Sequence, residues 1–372
     1  MATFPSKVNY ATGDILTATN MNEVGQAINL LDGAQFAAGK NKIINGDFFI
    51  NQRNFTSNTA AFSYNFDRFY QSNGGTSGTF TLTPQTFTTG TAPVAGYEAR
   101  NFLRGITAAG ANTNTYAIFS QNIEDVRTLA GQVTTVSFWA KAASGTPKMA
   151  VETEQQFGSG GSPSSTVTTY GGQVTLSTSW TRYSVTFTVP SISGKTIGTT
   201  ANSSALTLNL WTSAGSDFNA RTGSMGLQNN TFDIWGVQVE GANTASPFQT
   251  ATGTKQGELA ACQRYYFRAT ADTSAFAHFS LGFASSTTSS QQDLKLPVTM
   301  RIEPSSVDYS TLRLEDINSG QAVTSLTLSS NASNTNTATF DVGVASGLTA
   351  YRPYFLGANN STSAYVGVSA EL

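Results

Sequence analysis

Charge is what this sequence has least of. Asp, Glu, Lys and Arg together make up 11% of its 372 residues, under half of the ~25% usual in a soluble domain. The formal net charge is −2 and no block of Lys and Arg occurs anywhere, which excludes the basic footprint that a phosphate backbone demands. No nucleic-acid partner is expected. A single cysteine, Cys262, excludes an intrachain disulfide framework. A single histidine, His278, without a cysteine cluster, excludes the usual zinc ligand sets. No run is apolar for long enough to span a bilayer, so no membrane insertion is expected. The opening Met1-Ala2-Thr3-Phe4-Pro5-Ser6-Lys7 lacks the apolar stretch of a secretion signal.

What replaces the charge is Thr, Ser, Asn and Gly. Hydrophobic residues are 39% and aromatics 11%, enough for real cores and unlike a disordered chain. A surface solvated by hydroxyls and amides suits close chain-to-chain packing and contact with neutral, hydroxyl-rich ligands such as glycans. The length suggests two or three domains. Residues 1–40 stand apart. Thr17-Ala18-Thr19-Asn20 offers helix caps and Gly33 a stop. Between them Met21, Val24, Ile28 and Leu31 are spaced 3, 4 and 3, the a/d seam of an oligomerising or docking helix. From residue 41 to about 250 the chain reads as strands. The clearest are Thr79–Thr83, Tyr116–Gln121, Thr134–Ala142, Lys148–Phe157, Tyr183–Val189, Ala205–Trp211 and Phe232–Glu240. In Tyr183–Val189 every odd residue is apolar and every even one hydroxylic, the mark of a half-buried strand. Many short strands with no regular helices between them predict a β-sandwich or jelly roll. After a short hinge at 242–247, Glu258–Phe267 reads as a helical turn leading into a strand. Further strands, at Phe276–Phe283, Ser306–Leu314, Ser325–Ser329, Thr337–Val344 and Tyr365–Ala370, predict a second, smaller β-sandwich over 251–372. The fold class is all-β with a short N-terminal helix.

Catalytic chemistry has little to work with. Glu152 and Glu154 alternate in a strand, which puts both carboxylates on one face ~7 Å apart, within the range of an inverting glycosidase pair. Lys148 and Gln156 share that face, so it reads as a solvated edge. His278 lies within a strand and reads as structural, and Cys262 as a small apolar residue. No catalytic residue is assigned. The tryptophans say more. Trp139 shares its strand parity with Ser137 and Lys141, and Trp211 shares its parity with Thr207 and Asn209. Each is an aromatic ring on an otherwise polar face, the arrangement by which a sheet stacks a sugar. The same face would serve equally as a subunit contact. Trp180 reads as a packing anchor, and Trp235, in parity with Val237 and Val239, as core. Tyr351 and Tyr354 collect near the end of the chain, as ligand contacts at a distal tip or as contacts that close an oligomer.

Local patterns then bring a resemblance. Gly13-Asp14-Ile15-Leu16-Thr17-Ala18 with Met21-Asn22 is similar to the virion-attachment start of bacteriophage tail-fibre proteins. The run from Asn41 to Phe48 with Asn51-Gln52-Arg53, then Phe66-Asp67-Arg68-Phe69, Ser137-Phe138-Trp139-Ala140-Lys141, Trp180-Thr181-Arg182-Tyr183 and Phe232–Glu240 resemble successive strands of the carbohydrate-binding-like jelly roll in those proteins. Pro247-Phe248, Glu258–Tyr266 and Leu296–Arg301 resemble its exit and the domain that follows. The resemblance implies a homotrimer attached to a phage tail or baseplate protein through its N-terminus, and so a virion protein assembled in the host cytoplasm. It does not by itself imply that a sugar is bound, and host surface polysaccharide as a partner is an expectation from the polar, aromatic strand faces. Two other classes remain: a purely structural baseplate, collar or head-fibre spacer, and a glycan depolymerase. Related jelly rolls hold a structural calcium between their first and last strands, to which Asp47 would contribute. Where they carry Asp-Asp, this chain has Trp235-Gly236, so no metal and no cofactor is expected.

Overall fold

The computed structural model describes residues 39–372 apart from 76–77, 95–96, 318 and 330. The helical seam of Met21, Val24, Ile28 and Leu31 lies outside the described residues. Among those described, no helix is long and apolar enough to cross a membrane.

The first ten strands are β1 (Tyr70–Gly74), β2 (Thr79–Thr86), β3 (Asn101–Ala108), β4 (Tyr116–Glu124), β5 (Val133–Ala142), β6 (Lys148–Gln156), β7 (Val167–Thr175), β8 (Thr181–Thr188), β9 (Ala205–Ala214) and β10 (Asn230–Glu240). They form two five-stranded sheets, in the orders β1-β4-β9-β6-β7 and β2-β3-β10-β5-β8, with every strand pair antiparallel. This is a jelly-roll sandwich. Its core is filled by alternate residues of both sheets, among them Leu206, Leu208 and Leu210 of β9 and Val136, Phe138 and Ala140 of β5. That is the period-2 pattern of strands with one inner face. β1, β3 and β7 were not legible as strands. Gly74, Gly105 and the Gly171-Gly172 pair interrupt their alternation, and glycine weakens a strand signal.

Trp235 is fully buried, yet it does not share a face with Val237 and Val239 as its parity predicted. It stands opposite Trp139, and the register shifts before Gln238 pairs with Ser137. Gly236, at φ 63°, is the extra residue of a β-bulge, which flips parity along the strand. A Cβ at Gly236 would lie 3.1 Å from Trp139 Cδ1. Trp235 therefore projects from the outer face of the second sheet. There Phe87, Tyr97 and Phe248 bury it. Trp180 anchors the same layer against Phe87 and Phe102. The segment read as a hinge folds back along β10: Ser246 donates from its N–H and hydroxyl to Glu240 at 2.9 and 2.8 Å.

The helix Lys255–Gln263, capped by the Thr254 hydroxyl accepting from Gly257 N–H, leads into β11 (Tyr266–Thr270). The remaining strands are β12 (His278–Ala284), β13 (Ser289–Lys295), β14 (Ser306–Ser310), β15 (Leu312–Glu315), β16 (Gly320–Leu328), β17 (Thr337–Val344), β18 (Pro353–Ala358) and β19 (Tyr365–Ser369). Six of them close a ring in the order β12-β13-β17-β16-β15-β18, and β11-β19-β14 form a three-stranded sheet against it. The run expected as one strand over Ser306–Leu314 breaks at Thr311, φ 54°, and its halves enter different sheets. This part grips the sandwich. Arg264 donates to both carboxylate oxygens of Glu124 at 3.0 and 3.1 Å, and the Gln52 amide donates to the Tyr266 carbonyl at 2.8 Å. Arg68, 1% exposed, pairs with Glu371 and lies 3.3 Å from the Tyr265 ring centroid.

Candidate functional site

The outer face of the sheet β1-β4-β9-β6-β7 carries a dense cluster of polar and charged side chains. Cross-strand partners point to the same side of a sheet, so register alone assembles a row. Tyr70 stands opposite Ser120, Ser120 opposite Asn209, Asn209 opposite Glu152, and Glu152 opposite Tyr170. In the neighbouring row Ile118, Trp211 and Ala150 stand together. Over this face lie the turn Ser216–Phe218 and the helix Asn219–Thr222. The helix stops at Gly223, φ 62°, where any Cβ would sit 2.2 Å from the Tyr170 hydroxyl. This close approach sets Arg221 down on the carboxylates.

Arg221 grips Glu152 at two points, Nε to Oε1 at 2.5 Å and Nη2 to Oε2 at 2.7 Å, and also pairs with Glu154. Burial pulls the guanidinium down, but the hydrogen bonds and charge of Glu152 and Glu154 prevail and hold it above its ordinary value. The Trp211 indole N–H donates to Glu152 Oε2 at 3.0 Å. The Asn209 amide donates to both glutamates at 3.1 Å and accepts from the Ser120 hydroxyl at 2.7 Å. Glu152 is 0% exposed and β6 runs between β9 and β7, so these carboxylates form no solvated edge. A buried carboxylate needs such a set of donors. Both are held by one guanidinium and stand on one side of it, an arrangement unlike two groups that flank a bond.

Trp211 is 1% exposed. Phe218 covers it at 5.3 Å between ring centroids and Tyr116 packs on Phe218 at 5.1 Å. It is thus a second layer, and the half-buried Tyr116, Phe218 and Tyr70, with the exposed Phe62, are the rings that meet solvent. With Arg221, Glu154 and Asn209 they line a depression of about 250 Å³. An aromatic rim over fixed polar groups is the chemistry of a sugar site.

Residues 40–211 match the carbohydrate binding domain family. The matched stretch is under half of the chain and ends before β10, the central strand of the second sheet. No curated protein matches the chain. Among solved structures, a putative sugar binding protein from Bacteroides thetaiotaomicron is 15% identical, with 54% of this chain and 100% of that one covered at a TM-score of 0.33. The CBM22-2 xylan-binding domain of Paenibacillus barcinonensis Xyn10C is 17% identical, with 46% and 91% covered at 0.28. The enzymatically active domain of tailspike protein 4 of bacteriophage CBA120 is 14% identical, with 54% of this chain but 21% of that one covered at 0.29.

The residues singled out from the sequence fall in three places. Asn209 and Trp211 belong to the depression. Trp139 and Lys141 lie on the outer face of the opposite sheet, across the sandwich core. There Lys141 reaches Asp233 at 3.6 Å and the Trp180 ring at 5.3 Å. Tyr351 is 86% exposed on the C-terminal barrel. Tyr354 is a barrel core residue whose hydroxyl accepts from Thr349 N–H at 3.0 Å, so the two make no common surface. Arg221, Phe218 and Tyr116 were missed. Tyr116 had a signal, since it shares the parity of Ser120 in an expected strand. Phe218 and Arg221 sit in a stretch that reads only as a loop.

Asp47 accepts from the Tyr97 hydroxyl at 2.6 Å, and burial pushes its carboxyl up. Among the described residues no three His, Cys, Asp or Glu side chains are grouped to hold a metal. His278 stacks on Phe355 at 4.3 Å and meets Glu315 at 2.7 Å. Burial raises the Cys262 thiol well above its ordinary value.

Proposed function

We propose that this chain is a non-catalytic glycan-binding protein of a bacteriophage virion, a homotrimeric tail fibre fixed through its N-terminus, whose jelly roll contacts neutral sugars of the host surface. The observation that carries the glycan reading is the depression over Arg221, Glu152 and Glu154. Its rim is aromatic, its floor is a fixed set of amide, hydroxyl and guanidinium groups, and its central charges are paired within the site. Such a surface offers ring faces and hydrogen bonds to hydroxyls without calling for a charged ligand. The tail-fibre reading rests on the ordered motifs from Gly13 to Arg301 and on the helical seam of Met21, Val24, Ile28 and Leu31.

Binding of the full chain to an array of neutral oligosaccharides tests the first part. Retention that falls at least severalfold in Tyr116→Ala and Phe218→Ala supports it, and an empty array returns the chain to the class of structural spacers. Mass photometry tests the assembly. A persistent monomer at micromolar concentration overturns the trimer, and removal of residues 1–33 should abolish incorporation into particles. Release of reducing ends from host polysaccharide would overturn the non-catalytic reading.

A further inference from the structure

A second cleft, of about 510 Å³, opens where the sandwich meets the β11-β19-β14 sheet. Its walls come from both parts: Ser63 and Tyr64 from the sandwich, and Tyr266, Ser306, Tyr365 and Ser369 from the C-terminal part. The charged groups here are internally engaged. Arg53 is held between the rings of Tyr64 and Tyr266, at 4.9 and 3.6 Å, and pairs with Glu371 at 3.5 Å. Arg268 stacks on Tyr365 at 3.2 Å, and Asp308 accepts from the Tyr266 hydroxyl at 3.0 Å. What the cleft presents outward is therefore hydroxyls, ring edges and the exposed Asp308 carboxylate, an acceptor for sugar hydroxyls.

This cleft and the Trp211 depression are neighbours. Phe62 lines both. Tyr64 of one and Tyr70 of the other are in ring contact, with centroids 5.5 Å apart, and their backbones form a bridge. Phe62 itself is 67% exposed at φ 58°. For a bulky side chain this left-handed conformation is a strained outlier, of the kind that gathers at ligand clamps. Its N–H is tied to the Gln71 carbonyl at 2.8 Å, so the ring is held outward on the ridge between two polar, aromatic-walled hollows.

We infer that the two hollows are consecutive subsites for one extended neutral glycan chain, laid across Phe62 from the Tyr116–Phe218 rim into the Tyr64–Ser306 cleft. The inference rests on the glycan reading of the first depression and adds the substrate class: a polysaccharide or long oligosaccharide bound along its length, with half of its site built by the C-terminal part. Two contact regions joined on one ligand strengthen binding without new chemistry at either.

The test uses the full chain and neutral oligosaccharides of two to eight sugars, immobilised and in solution. Ser306, exposed on β14, is changed in Ser306→Trp to fill the second cleft. Phe62→Ala removes the ridge. Thermal unfolding of both variants checks that the fold is intact. Wild-type affinity should rise about tenfold or more between the shortest and longest chains retained. Ser306→Trp should abolish that rise while short-chain affinity stays unchanged, and Phe62→Ala should reduce it. Equal affinity for short and long chains, or a length dependence untouched by Ser306→Trp, overturns the extended site and leaves the first depression standing. No retention of any glycan overturns the glycan reading, and the extended site with it.

Discussion

Arg221 and Glu152 meet through two hydrogen bonds at 2.5 and 2.7 Å, the side-on fork by which a guanidinium matches a carboxylate. Glu152 is wholly inside while Arg221 keeps a partly wet edge. The pair is thus both an anchor for the covering turn and the polar floor of the site. Arg221→Met leaves a buried carboxylate with only Asn209 and Trp211 as donors. The expected loss is about 3 kcal/mol of stability, read from the denaturant midpoint. A loss below about 0.5 kcal/mol, the scale of ordinary surface changes, would mean that the pair contributes little.

Phe218 shields Trp211 at 5.3 Å. Phe218→Ala should expose the indole, seen as a red-shifted emission and increased acrylamide quenching, with the unfolding temperature little changed. Emission identical to wild type would show that other residues bury Trp211 instead.

Arg68 is enclosed by the sandwich, Tyr265 and Glu371. Glu371→Ala removes its carboxylate and leaves a buried guanidinium with the Asn122 carbonyl and the Tyr265 ring. A cost of about 3–5 kcal/mol is expected. Because Glu371 belongs to the C-terminal part, the loss should also appear as earlier proteolysis between the two parts. Unchanged proteolysis would show that Arg264–Glu124 and the Gln52 contact hold them without it.

Burial raises the Asp47 carboxyl above its ordinary value of 3.8, so the folded chain binds this proton more tightly than the unfolded chain. From 3.8 up to the folded value, the folded state carries more protons, and this group's contribution to stability falls as pH rises. Asn at this position still accepts from Tyr97 but does not titrate. Relative to wild type, Asp47→Asn should gain stability as the pH is raised above about 4, measured by urea denaturation at each pH across the acid-to-neutral range. A difference that stays flat across that range would contradict the assignment.

Gly236 stands at φ 63° beside Trp139. Gly236→Ala should cost about 1–3 kcal/mol through backbone strain and the close Trp139 contact. An unfolding temperature equal to wild type would show that the bulge accommodates a side chain.

The alternation in the chain by itself determined the all-β class, most of the strands and the inward rows of the core, because a strand's period of two is a local property that each segment carries alone. It also put Asn209 and Trp211 on one polar face. The tertiary structure decided what that face is. Parity could not show that Gly236 inserts a residue and turns Trp235 outward, since a bulge is a matter of pairing between strands. Nor could it show that Phe218 and Arg221 fold back over Trp211 and Glu152, residues 7 to 69 positions away. Whether an outward aromatic is exposed depends on what covers it, and cover comes from segments whose own sequence has no periodicity. Glu152 and Glu154 read as solvated for the same reason. Their local pattern is that of a wet face, and only the neighbouring strands and Arg221 make it a buried, charge-paired one.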